Sequence, residues 1–373
     1  METKNTDFIN YRDLLTLLGY HYNTVSRFLI FVYCFMNQRI LTLLITLFIV
    51  SISSSSLLAQ KNYTDAKAIK KEQKDRDLKI LLISDLNDSY GSVTYSEEVH
   101  EVISKIDEID PDIILCGGDM VAGQKASLSM SEINAMWDGF NSSVLTPINK
   151  LDKPFGFTVG NHDASPNYHK DRAAASAFWT ANKDKVNLTF VDNTHFPYFF
   201  SYIKNNVFFI SWDASSAQIP DEVKEWMKQQ LSTEIAHKAK ARIVLGHLPL
   251  YAIVESKNKK GEVLDNADET LVFLKDHQVD MYISGHQHAY FPATKQKITL
   301  LHSGCLGGGS RQFINDDQPA QKAYAIIEIP KGNGFSKTRI IGFRAVDHQP
   351  IPLNSLPESI QGFNGVVERI SEY

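Results

Sequence analysis

Cysteine is scarce in this chain: Cys34, Cys116 and Cys305 are the only three among 373 residues. A disulfide scaffold needs more, and the absence of any CxxC spacing removes a thiolate zinc site. Cys116 and Cys305 lie in apolar runs, where a buried free thiol is the ordinary state and a disulfide the alternative. A basic surplus is also missing, since 38 Lys and Arg stand against 43 Asp and Glu for a formal net charge of -5. No nucleic-acid-binding signature follows from such a balance. No proline- or glycine-rich linker interrupts residues 78–345, which read as one domain. The chain is 43% hydrophobic and 22% charged, enough to bury an ordinary core, so global disorder is excluded.

The N-terminal 77 residues stand apart. From Met36 the chain reads MNQRILTLLITLFIVSISSSSLLAQ: a charged start, a short apolar core over Ile40–Ile52, a serine-rich stretch, and Ala59 before Gln60. That order is the order of a secretory signal. The apolar core is shorter than the roughly 20 residues of a membrane span, although Ile40–Leu58 carries no charge and an uncleaved anchor is the alternative. The expectation for 36–59 is export, periplasmic or secreted, with a membrane partner only through such an anchor. Residues 1–35, with Phe28–Tyr33 apolar, read as an upstream extension ahead of a start at Met36, or as half of a membrane hairpin turning at Asn37, Gln38 and Arg39. Residues 60–77 are polar and mixed in charge, and read as a solvated tether.

Beyond them, short apolar runs keep ending in polar clusters: LKILLISDLND, DIILCGGDMVAG, FGFTVGNHD, NVFFISWDAS, ARIVLGHLPL, VDMYISGHQHAY and ITLLHSGCLGGG. Runs apolar on both faces suit strands covered on each side. Helical spacing lies between them, over Ser96–Ile109 through Val99, Val102, Ile103 and Ile106, and over Asp221–Leu231 around Trp226 and Met227. The alternation predicts an α/β fold, to which strands over Lys322–Ile329 and Thr338–Ala345 add sandwich character. Residues 346–373 read as a C-terminal extension.

Sheets of this kind bind ligands at the carboxyl ends of their strands. There the chain carries Asp85, Asp119, Asn161 with His162 and Asp163, His247, and His286 with His288. Singly, each has an ordinary explanation: a helix cap, a turn, a hydrogen-bonded histidine. Five clusters that each end an apolar run point instead to one shared centre. Two carboxylates, an amide and several imidazoles suit a pair of divalent cations, because carboxylate can bridge, imidazole suits zinc, iron or manganese, and amide oxygen suits a hard ion. Two cations roughly 3.5 to 4 Å apart clamp a phosphoryl group during in-line displacement. His286 and His288 share a side of an extended segment, with Gln287 turned away.

In order, Ser84-Asp85-Leu86-Asn87, Gly118-Asp119-Met120-Val121, Gly160-Asn161-His162-Asp163, Gly246-His247-Leu248-Pro249 and Gly285-His286-Gln287-His288 form a set that resembles the calcineurin-like metallophosphoesterases, whose signature is D-x-H, G-D-x-x, G-N-H-[DE], G-H and G-H-x-H. The resemblance runs from about Leu78 to Gly309 and takes in Ile210–Asp213 with Glu225–Met227. It implies a four-layer double β-sandwich flanked by helices, two divalent metal ions (manganese, iron, zinc or similar), and hydrolysis of a phosphate-ester substrate, monoester or diester. By that resemblance Asp119 bridges the ions, Asp85 and His288 bind the first, with Asn87 at the family's third position, and Asn161, His247 and His286 bind the second. A hydroxide held between the ions attacks phosphorus without a covalent enzyme intermediate. His162 stands beside the leaving-group oxygen as acid or electrostatic stabiliser, with Asp163 to orient it.

The departure is Asn87, where the family has histidine; an amide is the weaker ligand and no base. Asp88 and Tyr90 stand nearby, to compensate or simply to pack the loop. The Leu306–Arg311 segment offers backbone N–H groups and the Arg311 guanidinium to a phosphate, or is a flexible loop. Tyr251, Tyr290 and Phe291 flank ligand positions, to stack on an aryl group or to pack. Two other readings stay open: a catalytically weak phospholigand-binding member of the family, and a different binuclear metallohydrolase, whose H-x-H would come early in the chain rather than last.

Overall fold

The apolar runs become strands, because a segment with no polar face can only lie between layers. Leu78–Ile83 (β1), Ile113–Cys116 (β2) and Phe155–Phe157 (β3) are almost wholly buried, and β1–β2–β3 pair in parallel. A computed structural model describes residues 66–332 and 334–371, and the chain divides into the units Met1–Ala66 and Lys67–Tyr373. The upstream extension 1–35, the signal or anchor 36–59, residues 60–65 of the tether and Cys34 lie outside the described residues. Among the described residues no helix is long and apolar enough to cross a membrane.

Next along the chain come Phe190–His195 (β4), Phe199–Lys204 (β5), Val207–Ser211 (β6), Ala241–Leu245 (β7) and Met281–Ser284 (β8). Tyr290–Lys295 (β9), Ile298–Ser303 (β10), Ala323–Ile329 (β11), Arg339–Arg344 (β12), Ser359–Gly362 (β13) and Gly365–Arg369 (β14) complete the described strands. They form two sheets, one of five strands ordered β12-β11-β1-β2-β3 and one of nine ordered β13-β14-β9-β10-β8-β7-β6-β5-β4. Alternation along each strand divides the core. Ile243 and Leu245 of β7 join Leu82, Phe157 and Phe209 in a cluster shared by both sheets, whereas Val244 joins Phe208 and Ile210 in a second cluster. The first cluster also takes in Val99 and Val102 of helix α1 (Glu97–Ser104), Trp137 of α2 (Met130–Phe140) and Trp179 of α3 (His169–Asn182). The second takes in Trp226 and Met227 of α4 (Asp221–Leu231) and Leu271 of α5 (Ala267–Asp276). Helix, sheet, sheet, helix is the expected four-layer α/β sandwich. Each Leu, Ile or Phe fully buried in it contributes about 1.5 to 3 kcal/mol.

Register sets where the strands stop. Ile83 pairs with Cys116, Cys116 with Phe157, and Leu245 with Ile283, so parallel neighbours end flush and their loops emerge side by side. The two sheets are tied at this edge by Thr158 Oγ1 donating to Trp212 O at 3.0 Å and Ser211 Oγ donating to Phe157 O at 2.6 Å.

Three expectations are modified. The helical stretch from Ser96 breaks at Lys105, after which Ile106–Ile109 makes a separate turn. The polar segment 67–77 is docked: buried Glu72 accepts from Asn205 N at 3.1 Å, and Asn205 Nδ2 donates to Asp77 O at 2.8 Å. Its polarity satisfies the β5–β6 turn rather than water. The C-terminal residues extend the larger sheet beyond position 345, since β14 pairs with β9 through Glu368 and Thr294 while Ile360 and Val367 are buried. Cys116 and Cys305 are both free and buried.

Candidate metal centre

The loops that leave β1, β2 and β8 are bent into conformations that side chains rarely accept. Asp85, Asp119, His286 and His288 have φ of 49°, 54°, 67° and 53°. A left-handed backbone at such residues is unfavourable by about 1 to 2 kcal/mol each, and strain of this sort gathers at functional sites. It turns the four side chains toward one edge. Small residues let the loops close together: a Cβ on Gly118 would stand 2.6 Å from His247 Nδ1, and one on Gly160 would collide with Asp119 Oδ1.

At that edge Asp119, Asn161 and His247 converge, and Asp119 Oδ1 also accepts from His162 N at 2.9 Å. The buried His247 lies with Nδ1 2.8 Å from Gly117 O, which requires the proton on Nδ1. Its Nε2 then meets Asn161 Oδ1 at 3.0 Å and Asp119 Oδ2 at 3.2 Å. With His247 neutral, its Nε2 lone pair, the amide oxygen and the carboxylate would repel one another, so a proton or a cation belongs among them. Ligand atoms of Asp119, His247 and His286 all fall within 4.8 Å of one another. Burial alone would lower the His247 pKa, but Asp119, and then Asp85, outweigh it and raise it to about 9. A proton thus compensates the carboxylates at neutral pH, and a divalent cation would compensate them more fully. The donor set fits a cation of the zinc, iron or manganese kind.

A second pair repeats the pattern. His288 Nδ1 lies 2.9 Å from Gly309 O, and Nε2 lies 3.2 Å from Asp85 Oδ1. Burial opposes protonation of His288, yet Asp85 raises its pKa to about 10. Asp85 also accepts from Ser84 Oγ at 2.6 Å and from His286 N at 3.0 Å. Asn87 lies beside this pair, and with His288 it lines a cavity of about 280 Å³. The neighbouring cavity, of about 420 Å³, is lined by Asn161 and His286. Tyr90, His162, Lys257 and Arg311 border both.

His286 is held by two residues outside the motifs, which border the same cavity. Its Nε2 is 2.8 Å from Glu262 Oε2, and Lys257 Nζ is 3.1 Å from each ring nitrogen. Burial, then Lys257, push the His286 pKa down to about 3, which leaves the ring neutral. Lys257 and Glu262 belong to the loop ESKNKKGE, whose composition matches any solvated turn. Gln124, another unflagged residue, accepts from Asn161 Nδ2 at 2.8 Å.

Three assignments change. Asp163 does not orient His162: its carboxylate accepts from Met120 N at 2.8 Å, Val121 N at 2.9 Å and Gly160 N at 2.8 Å, clasping the backbone on both sides of the centre. The His162 ring is set instead by Gly123 O, 3.1 Å from Nδ1, and by the Tyr90 ring at 5.2 Å between centroids, which leaves Nε2 for the cavity. Tyr290 opens β9, packs over Gly342 and lines a different cavity with Phe313 and Pro352. The aromatic ring at the centre is Tyr90. In the glycine-rich segment, Gly307 N donates to Asp85 O at 2.8 Å and Leu306 N to Ser84 O at 3.2 Å, so these two N–H groups brace the β1 loop and are not open to a phosphate.

The fold and this cluster define a phosphoesterase. Residues 78–290 match the calcineurin-like phosphoesterase family, and the chain belongs to it. Purple acid phosphatase 3 of Arabidopsis thaliana is 23% identical over 343 residues, 85% of this chain and 88% of that protein. Purple acid phosphatase PPD1 from yellow lupin, Lupinus luteus, superposes with a TM-score of 0.55 at 14% identity, over 75% of this chain and 53% of that one. The chain thus spans about half the length of the lupin protein. PhoD superposes with a TM-score of 0.50 at 9% identity, covering 80% of this chain and 72% of that one. The protein is a metal-dependent hydrolase acting on phosphoester bonds.

Proposed function

We propose that the protein hydrolyses phosphomonoesters at a centre of two divalent cations, with Asp119 between them. Asp85, Asn87 and His288 would hold the first, and Asn161, His247 and His286 the second. When bound, such cations neutralise phosphoryl oxygens and lower the pKa of water. Lys257 and Arg311, which border both cavities, would engage the remaining phosphoryl oxygens. His162, with its Nδ1 proton directed at Gly123 O, carries at Nε2 the proton that the leaving-group oxygen takes. Tyr90, 55% exposed, supports the departing group.

The observation that carries this reading is the meeting, on one cavity, of Asn161, His162 and His286 with Arg311 and with Lys257, which Glu262 pairs at 3.5 Å. A monoester is close to a dianion at neutral pH, because its second pKa is about 6. A diester has one charge and a second substituent to accommodate. The likeness to purple acid phosphatases supports the same choice. Protein reconstituted with manganese or zinc should turn over an aryl phosphate with kcat/KM at least about 10-fold above that for the bis-aryl phosphate, a difference of about 1.4 kcal/mol. A preference for the diester would overturn the monoester assignment. Tight binding of inorganic phosphate with no turnover of either ester would instead favour the phospholigand-binding reading, to which Asn87 lends support.

A further inference from the structure

An asparagine can serve a cation only through its oxygen. The two ends of the amide are nearly the same size, so the way it faces is decided by its partners. Asn161 lies between two opposite demands. On one side Gln124 Oε1 accepts from its Nδ2 at 2.8 Å; on the other its Oδ1 lies 3.0 Å from His247 Nε2, in the acceptor cluster with Asp119. If the amide turned over, Nδ2 would enter the cluster and Oδ1 would face the oxygen of Gln124.

The Gln124 backbone is fixed. Its backbone is left-handed, with φ of 64°, and its N–H donates to Asp171 Oδ2 at 3.0 Å. Asp171 belongs to α3 and is buried. The preceding residue must be small, because a Cβ on Gly123 would collide with His162 O and reach Asp171 Oδ1 at 3.0 Å. The loop after β2 is thereby anchored to a helix outside the cluster, and from it the Gln124 side chain reaches Asn161.

We propose that Gln124 is a positioning residue that keeps the Asn161 oxygen turned into the cation site. The proposal rests on the assignment of Asn161 to the metal centre. It concerns the direction of one amide, and a mutant cycle isolates that. An aspartate at 161 has two acceptor oxygens and needs no orienting partner. Gln124→Met removes the acceptor without adding charge.

Equilibrium dialysis against zinc or manganese, with elemental analysis, would be run on wild type, Gln124→Met, Asn161→Asp and the double variant. Gln124→Met should weaken the second metal by about 10- to 100-fold, the usual scale for loss of an outer hydrogen bond to a ligand. In the Asn161→Asp background the same change should weaken it by less than about 3-fold, so that most of the effect disappears from the cycle. Gln124→Glu, which still accepts from Nδ2, should stay within about 3-fold of wild type. Thermal melting of the metal-free proteins controls for general damage to the loop. Equal losses in both backgrounds, or none in Gln124→Met, would overturn the proposal while leaving the metal centre intact. Wild-type binding of two metals that survives Asn161→Ala unchanged would overturn the assignment of Asn161, and the Gln124 role with it.

Discussion

His302 shows how much a single buried side chain contributes to pH sensitivity away from the centre. It lies on β10, is 2% exposed, and its Nδ1 has no partner among the described residues. Burial pushes its pKa down to about 3. In the unfolded chain the ring takes a proton near pH 6.5. Between those values the unfolded state binds the extra proton, so stability is full above about 6.5 and falls as pH drops toward 3. At pH 5 the loss is about 2 kcal/mol relative to pH 7. Denaturant titrations of wild type and His302→Leu should therefore converge, or cross, as pH is lowered from 7 to 5. Curves that stay parallel would show that His302 is not held neutral.

At the scale of the loops that join strands to the centre, Asp163 is the element to remove. It ties the loop after β2 to the loop after β3 through three backbone N–H groups. Asp163→Ala leaves those donors buried, at about 1 to 3 kcal/mol apiece before relaxation. We expect a fall in stability of about 3 kcal/mol or more by urea titration, together with weaker metal retention. Unchanged stability would show that water reaches the clasp. This role was not legible in the sequence, where GNHD names the candidate ligand Asn161 and its neighbour His162 but says nothing of where the aspartate bonds. The strands were legible, because LKILLI and ARIVL have no polar face. Which sheet each joined was not, since both runs look alike and the answer lies in pairings as distant as Leu78 with Ile329. The terminal hairpin β13–β14 escaped notice for want of signal: it buries only Ile360, Gly362 and Val367. Lys257, Glu262 and Gln124 act through tertiary placement alone, whereas the motif residues Asp119, His247 and His286 were brought together as their order suggested.

For the molecule as a whole, the origin of the site residues matters as much as their chemistry. Asp85, Asn87, Asp119 and Asn161 follow strands of the five-stranded sheet, while His247, His286 and His288 follow strands of the nine-stranded sheet. Ligands bound only by the native state add stability by mass action, about 2.7 kcal/mol at a concentration 100 times Kd. Chelation should therefore lower the melting temperature, and restoring manganese or zinc should recover it. Hydrogen exchange should locate the effect: amides after β1, β2, β7 and β8 are expected to lose protection on chelation, and those of β4 and β13 to keep theirs. Uniform loss along every strand would mean that the metals stabilise the fold without acting between the sheets.

Cations bound there would work as a rivet through two plates. The seam beneath is closed by apolar packing and by a few bonds such as Ser211 to Phe157, which hold with or without metal. The working edge is different, because there the carboxylates Asp85 and Asp119 of one plate face His288 and His247 of the other, and until a cation is seated a proton joins each pair. Seating the metals would then exchange protons for cations across the seam, so metal uptake would release protons and tighten as pH rises.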